Sequence, residues 1–236
     1  MSRRNNRRQI AVAAAFALIA FLPVNALAAA VPSEEICDAA GDYALGVENY
    51  PEAVRLHEEI VRQHPDNALA HYHLGFAYGM LNESDNELRE YSIAERLGLH
   101  LWDLYLNLGL ALMEDGNLDE AALTLRHSVA LGPSHPESHF NLGLAYERKG
   151  RLRDAREEMV DAIALEPSPD ARNELALIDV ELGDRGQALN ILNGLVRDQP
   201  QYETARKNLL ILKTEIARDG EMHRRRRKDS LIASSR

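Results

Sequence analysis

Nine histidines, a single cysteine and 37 carboxylates are the side chains with which this chain could do chemistry. Cys37 stands alone, which excludes an intramolecular disulfide and a thiolate metal cluster. His71 and His73 lie two residues apart, and on a helix such a pair diverges. His135 and His139 have helical spacing, but Pro136 interrupts them. No His-Glu-x-x-His run, Gly-rich phosphate loop or Gly-x-Ser-x-Gly elbow occurs. No nucleophile has a base at recognisable spacing. The histidines therefore read as scattered surface and groove residues, and the sequence predicts no catalytic residue, no metal site, no cofactor and no enzymatic activity.

Charge points to binding instead. The net charge is −10, with +4 in residues 1–28 (Arg3, Arg4, Arg7, Arg8) and +4 in residues 220–236, leaving −18 on the body between them. An acidic body repels phosphates and argues against nucleic-acid binding there. Aromatic residues are scarce at 6%, and the apolar content leans on Ala and Leu, which enter helices at little cost. No alternating Val, Ile and Thr run marks a strand.

Residues 1–31 read as an export signal. A basic start precedes the apolar run from Ile10 to Val24, and Ala26-Leu27-Ala28 or Ala28-Ala29-Ala30 offers a cleavage site. The alternative is an uncleaved inner-membrane anchor over 10–31, which Pro23 and the alanine richness disfavour. Both place the remainder on the non-cytoplasmic side, the periplasm of a bacterial cell.

From Ser33 the chain repeats. Gly41, Gly75, Gly109 and Gly143 follow one another at intervals of 34. Leu-Gly pairs stand at 74–75, 108–109 and 142–143. Ala53, Ala121 and Ala155 follow twelve residues after their glycines, and Pro65, Pro133 and Pro167 twenty-four after. Each unit reads as two amphipathic helices with a turn at Gly116, Gly150 or Gly183 and a proline stop. The most regular unit is Tyr105 to Pro133.

This pattern of Leu-Gly, Tyr, Ala and Pro resembles the tetratricopeptide repeat family. The resemblance covers 34–202 as five repeats, 34–67, 68–101, 102–135, 136–168 and 169–202. It implies an all-α, right-handed solenoid of helix-turn-helix units. Residues 203–218 predict a capping helix with Leu209, Leu210, Leu212 and Ile216 apolar, and 219–236 a basic disordered tail.

Three departures predict local irregularity. Glu48 replaces the turn glycine of repeat 1, with Asn49 placed to supply the turn. Glu87 replaces the close-packing alanine of repeat 2, so its second helix should be displaced or its junction with repeat 3 loosened. Trp102 sits at that junction, placed to fill it.

In the family, the first helix of each pair lines a concave groove that holds a peptide or partner helix. The resemblance implies groove positions Tyr72, His73 and Phe76 in repeat 2, Leu106, Asn107, Leu110 and Met113 in repeat 3, and Phe140, Asn141 and Leu144 in repeat 4. Asparagine amides can pair with an extended backbone without reading its sequence. Acids at Asp38, Asp42, Asp103 and Glu137 favour neutral or basic ligands. The expected function is a non-enzymatic adaptor or scaffold binding a protein or extended peptide, in cell-envelope assembly. The alternatives are a self-associating scaffold, and a membrane-proximal anchor in which Arg224–Lys228 make weak contact with anionic lipid.

Overall fold

A computed structural model describes residues 38–234. The predicted export signal and Cys37 lie outside the described residues. Eleven α-helices and no strand occur among the described residues. They are α1 (Ala39–Gly46), α2 (Tyr50–Gln63), α3 (Ala68–Met80), α4 (Ser84–Arg96), α5 (Trp102–Asp115), α6 (Leu118–Leu131), α7 (Pro136–Arg148), α8 (Leu152–Leu165), α9 (Pro169–Glu181), α10 (Arg185–Asp198) and α11 (Glu203–Ser234). None is long and apolar enough to cross a membrane. The chain divides into two compact units, Met1–Ala145 and Tyr146–Arg236.

In the first unit, helices pair through the periodic glycines. A Cβ on Gly109 would lie 2.6 Å from Cγ of Leu125, so α5 approaches α6 only because that position carries no side chain. Gly75 is covered by the Tyr91 ring in the same way, and Gly41 by the His57 ring. The covering residue always comes sixteen positions after the glycine. Leu125, Tyr91 and His57 are all buried.

The turn after α5 falls on Gly116 at φ 89°. In the first hairpin Glu48 itself takes φ 58°, while Asn49 is the residue before α2 at φ −86°. The turn thus falls on Glu48 and not on Asn49, because the backbone requires the left-handed conformation at that one position. Asn82 takes φ 61° in the second hairpin, as its type predicts.

The second hairpin is not pushed open by Glu87. Its carboxylate lies over Gly79, where a Cβ would otherwise stand, so a second glycine one turn along α3 makes the room. Trp102 packs on the loop between α6 and α7. Its ring stacks on His135 at 3.6 Å between centroids, with Gly132 close beside both. Ser128 Oγ donates to the Trp102 carbonyl at 2.7 Å, pinning the start of α5 to α6.

Two histidines are loop latches. His71 Nε2 donates to the Pro65 carbonyl, and His139 Nε2 to the Pro133 carbonyl, each at 3.2 Å. His71 Nδ1 also meets Glu90 Oε2 at 2.6 Å.

In the second unit, Ala176 and Ala188 bring α9 and α10 together, with Leu192, Leu195, Ala205, Leu209 and Leu212 buried around them. Leu209 and Leu212 of α11 thus close this core, whereas Leu210 is 68% exposed and does not join it. The last helix also runs to Ser234, past the predicted end at 218 and through the segment expected to be disordered. No proline interrupts it, and Gly220 costs a helix only about 1 kcal/mol. Arg185 donates to Asp219 Oδ2 at 2.6 Å, holding the helix beyond its predicted end.

Candidate functional site

The ten groove positions lie on α3, α5 and α7, within the first unit, and the fold treats them unequally. Tyr72, Phe76, Leu106, Asn107, Met113, Asn141 and Leu144 are buried, while His73, Leu110 and Phe140 keep partial exposure. Tyr72 and Asn107 are brought together across α3 and α5. The Tyr72 hydroxyl donates to Asp103 Oδ2 at 2.9 Å and accepts from Asn107 Nδ2 at 3.2 Å. Burial, then the Asp103 carboxylate, push the Tyr72 phenol well above the ordinary tyrosine range, so it remains a hydrogen-bond donor. Asn141 Nδ2 donates to the Glu137 carbonyl one turn back at 2.8 Å. Phe76 meets the edge of the Tyr50 ring at 6.4 Å. The amides of Asn107 and Asn141 thus already serve the fold, and the apolar side chains with free surface are Leu110 and Phe140.

Sequence reading missed a polar cluster built around His73, the neighbour of Tyr72 on α3. His73 Nδ1 lies 2.8 Å from Asp42 Oδ1, and His57 Nε2 lies 3.7 Å from the same oxygen. The two imidazoles meet edge to face at 5.2 Å. Asp42 comes from α1, His57 from α2 and His73 from α3, so helical spacing within one element could not reveal them. The repeat register could have. His57 holds the place of Tyr91, Leu125, Met159 and Leu192, and Asp42 that of Phe76, Leu110, Leu144 and Leu177. Burial, then the neighbouring His73, hold the His57 imidazole down at about 4, with Asp42 and Asp38 opposing.

Comparison with known families decides what this architecture is. The tetratricopeptide repeat model matches over 39–98, 88–136, 106–172 and 140–203, which together span most of the chain. The chain belongs to the tetratricopeptide repeat family. Its all-helical hairpin array is that of a tetratricopeptide repeat protein. Such arrays serve as interaction modules that bind proteins or peptides.

Solved structures share the fold. YrrB, described as a tetratricopeptide repeat protein with an unusual peptide-binding site, is 20% identical with a TM-score of 0.67, over 75% of this chain and 93% of its own. MamA from Desulfovibrio magneticus is 20% identical with a TM-score of 0.65, over 73% and 99%. A tetratricopeptide repeat protein from Parabacteroides merdae is 16% identical with a TM-score of 0.68, over 80% and 75%. A search of curated protein sequences finds no match.

Proposed function

We propose that this chain is an exported, non-enzymatic adaptor that holds an extended peptide or partner segment along α3, α5 and α7 and works in assembly of the cell envelope. The observation that carries the reading is the partial exposure of Leu110 on α5 and Phe140 on α7, with the partly exposed Asp103 of α5 held by the buried Tyr72 hydroxyl. The apolar pair supplies contact area. The fixed Asp103 carboxylate can accept hydrogen bonds from a ligand, and His73 is a second partly exposed polar group of the predicted groove. Tyr72, Phe76, Leu106, Met113, Asn141 and Leu144 hold that surface in shape from beneath. The peptide-binding description of YrrB supports the class of ligand. The arginine-rich, apolar leader supports a periplasmic location.

The test is position-specific photocrosslinking in cells that express the full chain. A photoreactive residue at 110 or 140 is expected to capture a discrete partner identified by mass spectrometry. The same residue at Leu123, a 54% exposed position on α6, is not. Equal capture at all three positions refutes the groove reading.

A further inference from the structure

We propose that Asp42, His57 and His73 bind one divalent transition-metal ion of the zinc class, which ties the first hairpin to α3.

Two of these residues interrupt an apolar register. Where the first repeat has His57, the other four have Tyr91, Leu125, Met159 and Leu192. Where it has Asp42, they have Phe76, Leu110, Leu144 and Leu177. The place of His57 holds a fully buried apolar side chain in all four other repeats, and the place of Asp42 holds buried Phe76 and Leu144 and partly exposed Leu110 and Leu177. Placing an imidazole at 0% exposure and a carboxylate beside it gives up that apolar burial. The two substitutions fall in one repeat, side by side, and a third ligand-type residue from the next repeat joins them.

The geometry suits coordination. One ligand atom from each residue lies within 4.8 Å of the other two. Zinc bound at roughly 2.0–2.2 Å in a tetrahedron holds its ligand atoms about 3.3 Å apart. The edges of 2.8 and 3.7 Å from Asp42 Oδ1 bracket that value. Two imidazoles and one carboxylate select zinc, cobalt, nickel or copper over magnesium and calcium, which prefer all-oxygen shells. Three protein ligands leave a fourth position for water. The side chain of Asp42 is 27% exposed and that of His73 12%, so the ion enters from the Asp42 side. On entry the His73–Asp42 contact opens, the proton on His73 Nδ1 moves to Nε2 or to solvent, and both atoms turn to the metal.

The site joins three helices. Helix α1 has only eight residues, too short to be stable without tertiary packing, so a metal bridge acts where it matters most.

The experiment uses the full chain without a histidine tag, stripped with chelator. Zinc is titrated calorimetrically, and cobalt is followed by its visible absorption. The expected result is one equivalent of zinc, cobalt bands of a four-coordinate site, and an unfolding midpoint raised by about 5 °C with zinc in excess. His57→Leu and Asp42→Leu, which restore the apolar register, are expected to remain folded and weaken zinc binding by about 100-fold or more. Replacement of the exposed His127 by Ala leaves it unchanged. Absence of a one-equivalent site overturns the proposal, as does zinc affinity in His57→Leu equal to wild type. If a leucine variant fails to fold, Asp42→Asn and His73→Gln decide by the same readout.

Discussion

In the third hairpin a bare glycine, Gly109, lies under Leu125; in the first, Gly41 lies under His57. The backbone geometry is the same and the chemistry differs. Leu125 is insensitive to pH and fills its place by dispersion and apolar burial alone. His57 fills an equivalent place with a titratable ring, faced by Asp38 at the N-cap of α1, Asp42 within α1 and His73 from α3. One hairpin is held by volume, the other by volume and protonation state. A repeat fold therefore tolerates exchange of the interaction type at a fixed position, provided the shape is kept.

The largest expected effect separates the two hairpins by pH. His57 titrates at about 4 in the folded chain against 6.5 in the unfolded one, so the unfolded state binds the extra proton between these values. Its contribution is complete above pH 6.5 and is lost as pH falls towards 4. With chelator present, wild type should lose about 3 kcal/mol more than His57→Leu across that window. Denaturant unfolding at pH 7 and pH 4 measures it. Equal losses would show that the first hairpin is held as the third is.

A smaller effect probes the hairpin held by volume. Gly109→Ala puts a Cβ 2.6 Å from Leu125 Cγ and should cost about 2 kcal/mol despite alanine's better helix propensity. Combined with Leu125→Ala, the two losses should be less than additive, because the smaller side chain removes the overlap. Strict additivity would place the strain elsewhere.

The smallest effect concerns the turns. Glu48 sits at φ 58° where the third hairpin has Gly116 at φ 89°. Glu48→Gly should stabilise the first hairpin by about 1 kcal/mol, measured by thermal unfolding. A loss would mean that the Glu48 side chain contributes more than its backbone costs.

The hairpins, the glycine contacts and the family were legible because they depend on spacing along one chain, which a period of 34 exposes directly. What escaped depends on partners distant in sequence. Glu87 looked disruptive until Gly79 was found beneath it, and Trp102 looked like a filler for the α4–α5 junction until its ring was found on His135. The length of α11 escaped because a basic, polar segment reads as disorder by composition while containing little that stops a helix. At the groove, sequence position identified the helices but not the exposure. Asn107 faces Tyr72, so its amide is engaged within the fold. The Asp42–His57–His73 cluster escaped because the histidines were paired along the chain instead of compared across repeats.

The two loop latches carry a consequence for how such an array can be lengthened or shortened. His71 and His139 are 68 residues apart, twice the repeat length, and each closes on a proline carbonyl six residues back. Tyr105 holds the intervening place and meets His100, not a proline. Excising residues 68–101 would bring Tyr105 to the Pro65 loop, a mismatch. Excising 68–135 would bring His139 to that same loop and restore the bond. Between these two latches, a cut of two hairpins preserves the joint and a cut of one does not.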